Sequence, residues 1–408
     1  MHSDVPALLE HVVKLTRSSL SVAAFLAASV LTVWQVSSAQ PPTDATAQAQ
    51  HATTTPFEPY AWDLPSWVEP PAEPAVNPTT AAKVELGRRL FYDGRLSADS
   101  MRSCASCHQQ ARSFSDASPF SWGVTGELTA RNTMQLANVG YSSSLTWTNP
   151  YLTSLELQAR TPMLGNHPVE MGMAGREDQL FADLSADPIY RDLFPKAFPQ
   201  DGGRIDLTSI TQALAAFERT LVSARSPYDA YRFGGDANAI ADSAKRGEAL
   251  FFGARLKCHS CHGGPWFNAA EPETGAASDN FQNNGLYNTD GRGAYPSTNT
   301  GLAALTARPE DMGRFRIPSL RNIAVTGPYM HDGSLPDLAA VLDHYAAGGR
   351  VIASGERNAG DGRASPLKSP LIAGFELSAE ERADVLAFLG SLTDERFLQD
   401  ARFGNPWK

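Results

Sequence analysis

Apolar residues recur at helical spacing in four stretches of this chain. Ala82, Leu86 and Leu90 follow the start signal Asn77-Pro78-Thr79, and Gly94 ends the run, which predicts a first helix. Leu207, Ile210, Leu214, Phe217 and Leu221 form the apolar face of a second. Pro336 opens a third, in which Leu338, Val341, Leu342 and Tyr345 fall at i, i+3, i+4 and i+7 before Gly348. That spacing turns Tyr345 inward with the stripe and His344 elsewhere. A fourth starts at Ser378 with Glu381 as its capping-box partner, and buries Val385, Leu386, Leu389 and Leu392. Alternation of period two is scarce, so the expected fold class is mainly α with long loops.

Upstream of the first helix the pattern is different. Lys14 and Arg17 precede an apolar run from Leu20 to Val33 that exits through Ser37-Ser38-Ala39. This reads as an export signal over 1–39, with an uncleaved membrane anchor as the competing reading and a periplasmic address as the expected outcome. Residues 40–77 read as a flexible Ala/Thr/Gln/Pro tether followed by a strap, Pro56 to Pro78, with seven prolines, Trp62 and Trp67. The remaining length of the 408-residue chain suits more than one domain. A net charge of −10 and a pI near 5.4 argue against nucleic acid as a partner, since phosphate binding needs a basic face.

Cysteine usage changes the picture most. All four cysteines fall in two closed units, Cys104-Ala-Ser-Cys107-His108 and Cys258-His-Ser-Cys261-His262. Two thiols and an imidazole in C-x-x-C-H order attach a haem by thioether bonds and ligate its iron. A zinc site or a dithiol redox pair needs no histidine after each pair. The expected cofactors are therefore two covalently bound c-type haems. The units sit in a weak internal repeat: Gly87-Arg-Arg-Leu90-Phe91 is echoed by Gly247-Glu-Ala-Leu250-Phe251, and Phe114 and Phe267 follow the two histidines. Two tandem cytochrome c-like domains are expected, 78–235 and 236–408. The Gly-, Asn-, Thr- and Pro-rich stretch from Ala269 to Arg308 reads as loops over a haem edge or an interdomain surface.

Whether the sixth position on each iron is filled decides the chemistry. Ser113 to Arg131 contains neither His nor Met, so the His108 haem is expected to be five-coordinate. Beyond the C-x-x-C-H units stand Arg131-Asn132-Thr133, Gln158-Ala-Arg-Thr-Pro162, Pro168-Val-Glu170-Met, Pro318-Ser-Leu-Arg-Asn322 and Thr326-Gly-Pro328-Tyr-Met-His331-Asp-Gly. In that order, over residues 78–395, the series resembles the bacterial dihaem cytochrome c peroxidase and MauG family. Leu145-Thr-Trp147-Thr-Asn-Pro150 and the run at Pro162-Met163 are most similar to its MbnH branch, the MauG relatives associated with methanobactin operons.

The resemblance implies a peroxide site at the His108 haem and an electron relay at the His262 haem. It implies a sixth ligand fourteen residues beyond the His-Asp-Gly histidine, methionine in peroxidases and tyrosine in the MauG branch; here the residue is Tyr345. The helix pattern alone leaves Tyr345 either a core aromatic or that ligand. Glu170 is implied as general acid/base, with Gln158 and Pro162 beside it, where a carboxylate read by itself is a solvated surface charge. Trp147 is implied between the haems, against a packing role. Asn132, Thr326 and the Pro328 carbonyl are implied as calcium ligands, against simple turn chemistry.

The activity so implied is a MauG/MbnH-like oxidation. Hydrogen peroxide brings both haems to a bis-ferryl state, which oxidises tryptophan, to kynurenine, in a copper-binding, MbnP-like partner protein by long-range electron transfer. A dihaem cytochrome c peroxidase fed by a small redox protein is the alternative, and a non-catalytic dihaem electron-transfer cytochrome is a third.

Overall fold

The computed structural model describes residues 58–268 and 280–407, so the expected export signal and tether lie outside the described residues. Residues 57–408 belong to one unit.

The helices are α1 (Ala81–Phe91), α2 (Cys104–Cys107), α3 (Leu155–Gln158), α4 (Arg160–Leu164), α5 (Glu177–Ala186), α6 (Pro188–Ala197), α7 (Leu207–Arg219), α8 (Pro227–Arg232), α9 (Asp242–Phe251), α10 (Ala303–Thr306), α11 (Leu338–Ala346), α12 (Ala379–Ser391) and α13 (Glu395–Gln399). Antiparallel β1 (Phe281–Gln282) and β2 (Phe315–Arg316), and β3 (Val351–Ile352) and β4 (Gly360–Asp361), are the strands among the described residues. The fold is mainly α, as expected. β1 and α10 fall inside the stretch expected to be loops, and 269–279 of that stretch lie outside the described residues.

Each predicted helix starts where its cap can satisfy free N–H groups. Thr80, rather than the Pro78-Thr79 pair, caps α1 by accepting from Lys83 N. Asp206 caps α7 and Asp337, one residue past Pro336, caps α11. Ser378 and Glu381 form the expected reciprocal box on α12. Leu386 is only half-buried there; Phe388, which the periodicity did not single out, is fully buried instead.

The internal repeat corresponds to two helix crossings of one design. α1 packs on α7 at Gly87, where an added Cβ would sit 1.9 Å from the Ala213 carbonyl oxygen. α9 packs on α12 at Gly247, where it would sit 2.0 Å from that of Asp384. Only glycine allows backbones so close. Four residues beyond each contacted carbonyl, Phe217 and Phe388 close an aromatic trio. Phe91 lies 5.8 Å from Phe114 and 5.3 Å from Phe217, and Phe251 lies 6.0 Å from Phe267 and 5.1 Å from Phe388, ring centre to ring centre. All six rings are at most 2% exposed, so each trio is a core nucleus.

Around these trios lie two hydrophobic cores, one built on α1, α5, α6 and α7, the other on α9, α11 and α12. The expected 235/236 boundary falls between α8 and α9, yet Phe397, Leu398 and Phe403 pack in the first core. Asn322 stitches further: its Nδ2 donates to Ser113 and Ser223, and its Oδ1 accepts from Asp394 N. The described part of the strap is not extended throughout: it turns at residues 65–68 and 74–77, while Trp67 stacks on Phe233 at 4.0 Å, and Asp63 pairs with Arg225, Arg396 and Arg402.

Candidate functional site

Both C-x-x-C-H units fold into a turn closed by the same bond. His108 N donates to Cys104 O and His262 N to Cys258 O, each at 2.9 Å. An i, i+4 bond of this kind stacks the first cysteine and the histidine on one face. None of the four cysteines is in a disulfide. Each imidazole is then oriented by a carbonyl: His108 Nδ1 donates to Phe114 O at 2.7 Å and His262 Nδ1 to Phe267 O at 3.1 Å. That fixes the proton on Nδ1 and leaves the Nε2 lone pair for a metal. Burial pushes both imidazoles down, toward the neutral, ligating form.

The two phenylalanines do this at a conformational cost. Phe114 has φ 61° and Phe267 φ 53°, a left-handed backbone that aromatic residues rarely adopt. The buried trios hold them there, and the result is a carbonyl aimed at each histidine.

A cavity of about 440 Å³ lies against the second unit, well within the range of ligand-sized sites. Cys258, Cys261 and His262 line one side, and Leu338, Val341, Leu342 and Tyr345 of α11 line it as one stripe. The chemistry of this donor set fits a haem: two thiols, an oriented imidazole, apolar walls for a flat macrocycle, and an axial oxygen. Burial pushes the Tyr345 phenol up to about 12, and a hydrogen bond with the Asn284 side chain opposes it. A bound metal ion would take that proton instead. His344 points away, its Nε2 donating to Asn284 O at 3.0 Å. Asn284 therefore braces both residues, and sequence reasoning missed it because it lies in a loop with no periodicity.

Of the three expected peroxide-site residues, the backbone brings Pro162 and Glu170 side by side, with Gln158 about one turn before Pro162. Gln158 ends α3, Pro162 lies within α4, and Met171 N donates to Pro162 O at 3.0 Å, which sets Glu170 beside that helix. Ala98 N to Met171 O (2.8 Å) and Val124 N to Glu170 O (2.9 Å) pin the segment from both sides. Burial alone raises the Glu170 carboxyl, and no cation pairs with it among the described residues. Glu170 is also close enough to raise the Cys107 and Cys104 thiols, behind burial and nearer neighbours, so it stands at the first C-x-x-C-H unit.

Glu218 of α7, also near Cys104, is a carboxylate that the sequence pattern did not reveal. Burial pushes it up to about 8, with Arg219 opposing. A carboxyl whose folded value is raised stabilises the fold below its ordinary range near 4.3, and that contribution is lost as pH rises through about 8. Glu218→Gln is therefore expected to be close to neutral at pH 5 and to raise Tm relative to wild type above pH 8. Calorimetry at both pH values checks this; equal shifts at both would sink it.

Trp147 lines the large cavity and also a smaller one of about 70 Å³. Its Nε1 donates to Asn132 O at 2.8 Å, so the indole is oriented rather than merely packed. Asn132, Thr326 and Pro328 all line the smaller cavity, with no Asp or Glu among its lining residues. The Asn132 Nδ2 is spent on Ser118 O at 3.0 Å, which leaves its Oδ1 for another partner.

Comparison with known proteins agrees with this geometry. Residues 81–238 match the di-haem cytochrome c peroxidase family. The chain is 36% identical over 325 residues to the methylamine utilization protein MauG of Methylorubrum extorquens, covering 79% of this chain and 81% of that one. It is 34% identical over 338 residues to the cytochrome-c peroxidase IdrP1 of Denitromonas iodatirespirans, covering 78% and 84%. A solved structure of a MauG-like protein associated with microbial copper homeostasis superposes with a TM-score of 0.80 at 46% identity, over 86% of this chain and 100% of that one.

Proposed function

This chain belongs to the di-haem cytochrome c peroxidase and MauG family, and from that premise we propose that it is a dihaem oxidase of MauG type, taking oxidising equivalents from hydrogen peroxide and passing them to a tryptophan of a partner protein. The observation that carries this reading is Tyr345, set into the second cavity with Cys258, Cys261 and His262. A phenolate is a hard anionic ligand that favours high oxidation states, where a thioether favours the reduced one.

The haems, attached at Cys104/Cys107 and Cys258/Cys261, supply the two-electron reduction of peroxide, H2O2 + 2 H⁺ + 2 e⁻ giving two waters. The protein's residues do the rest. His108 would hold the iron of the peroxide-reducing haem, and His262 and Tyr345 would hold the iron of the other. Glu170 moves a proton between the peroxide oxygens, with Gln158 and Pro162 shaping that pocket. Trp147, at the wall of both cavities, carries electrons between the two centres. Asn132, Thr326 and Pro328 would hold a calcium ion, an all-oxygen set suited to a hard cation.

The partner we assign is a periplasmic, copper-binding, MbnP-like protein, and the export-signal pattern supports the same compartment for the enzyme. The likeness to a copper-homeostasis protein supports that choice. Two peroxides and one tryptophan give N-formylkynurenine and two waters, and hydrolysis with loss of formate leaves kynurenine. Cytochrome c peroxidase activity is the second reading, favoured by a peroxidase relative at 34% identity.

Low-temperature EPR and optical spectra of the oxidised protein, before and after one equivalent of peroxide, separate the two. Wild type is expected to show one high-spin and one low-spin haem that react without prior reduction, and to add oxygen to a partner tryptophan by mass spectrometry. Tyr345→Met is expected to lose the partner oxidation while keeping both haems. Two low-spin haems inert until one is reduced would instead establish the peroxidase.

A further inference from the structure

The wall between the two cavities carries a charge that no side chain balances. Arg316, on β2, lines the 440 Å³ cavity and the 70 Å³ cavity alike. Its Nη1 donates to Ser144 O at 3.0 Å and its Nη2 lies 3.5 Å from the Met134 sulfur, while Nε is buried without a partner. The buried Arg321 and Arg219, by contrast, are paired, with Asp229 and Glu156. Arg316 has no carboxylate within reach among the described residues, and no Asp or Glu lines either cavity there. A second orphan lies nearby: His331 also lines the larger cavity, is 4% exposed, and has a buried Nε2 with no partner. Phe315, beside Arg316 in the chain, stacks on the His331 ring at 3.6 Å.

An unpaired buried cation is strongly unfavourable, and a buried ring nitrogen without a partner adds to the cost. Two such groups lining one cavity, linked through Phe315, point to a site for an anion with hydrogen-bond-accepting oxygens. We propose that Arg316 and His331 form the carboxylate-binding end of the second haem site, that they take the propionate carboxylates of the macrocycle attached at Cys258 and Cys261, and that the Arg316 guanidinium holds up the reduction potential of that centre. The inference rests on the dihaem reading and adds to it the source of the missing negative charge. It also bears on the smaller cavity. Arg316 and a calcium ion on that wall would repel one another, and a carboxylate between them lets both be held.

Arg316 is thus a positioning residue whose charge should be readable without turnover. A cation beside a haem favours its less positive, ferrous state, so removing it favours ferric. Spectroelectrochemical titration of the haem-loaded Arg316→Gln variant is expected to move the ferric-to-ferrous ratio of the Tyr345 haem at least tenfold toward ferric at fixed potential, about 59 mV for one electron. Arg316→Lys keeps the charge but not the planar fork. It is expected to restore most of the potential while shifting the propionate bending band in resonance Raman spectra.

Equal potentials in wild type and Arg316→Gln would overturn the proposal, as would equal loss in the Gln and Lys variants. If the Gln variant does not accumulate with haem, the Lys variant decides alone, and an unmoved propionate band overturns it. A wild-type potential that follows added chloride or phosphate would assign the site to a free anion and likewise overturn it. Haem content, measured on each sample, keeps these outcomes separate from the dihaem reading: fewer than two haems in wild type defeats that reading, and the proposal with it.

Discussion

Glu170→Gln is expected to slow peroxide consumption by about 10²–10⁴-fold, the usual worth of a positioned general acid/base, with both haems retained and the resting optical spectrum unchanged. Glutamine keeps the volume and polarity of the side chain and loses only the exchangeable proton. The pH profile supplies the sharper check. Burial raises the Glu170 carboxyl above its ordinary range. To take the first proton from peroxide it must begin ionised, so the wild-type rate should rise with pH along a limb that lies above the normal carboxylate range near 4.3. That limb should vanish in the glutamine variant. Stopped-flow rates from pH 5 to pH 9 decide the matter, and a variant only a few-fold slower with the same limb would remove Glu170 from the reaction.

Asp229→Ala is expected to cost about 3–5 kcal/mol of stability, the penalty for leaving a buried charge unpaired. Arg321 is fully buried, its Nη1 meets Asp229 Oδ1 at 2.6 Å, and its Nε and Nη2 donate to Pro265 O at 2.9 and 2.6 Å. Pro265 lies two residues before Phe267, whose carbonyl orients His262. Loss of the carboxylate should therefore loosen that carbonyl and perturb the low-spin haem signal before global unfolding. Replacing both partners with Met and Leu should recover much of the stability, since apolar residues of similar size leave no charge uncompensated. Denaturant titration followed by circular dichroism and by haem absorbance tests both halves. If the double variant is no more stable than Asp229→Ala, the cost does not come from the orphaned charge.

Much of the fold could be read before any coordinates. Helix periodicity located α1, α7, α11 and α12 because each buries one stripe against a core, and caps such as Ser378 with Glu381 are local in sequence. The haem-binding units were legible for the same reason, since thioether attachment and axial ligation need Cys, Cys and His within five residues. The paired Leu-Phe segments and the pair Phe114 and Phe267 were visible as an echo, but not their use. Only the fold shows that Phe217 and Phe388 complete the trios, or that positive φ at Phe114 and Phe267 turns a carbonyl onto each histidine.

The chain by itself thus determined which residues can attach two haems, where the main helices run, and that Tyr345 faces inward on its own helix. Each of those depends on neighbours within a turn or two. Tertiary structure decided what faces Tyr345, through Asn284; what joins the cavities, through Trp147 and Arg316; and why the Pro162 and Glu170 segments meet. These contacts span loops without periodicity, and single polar residues that meet across such distances leave no pattern in the sequence, because burial and hydrogen-bond satisfaction are set only when the chain has folded.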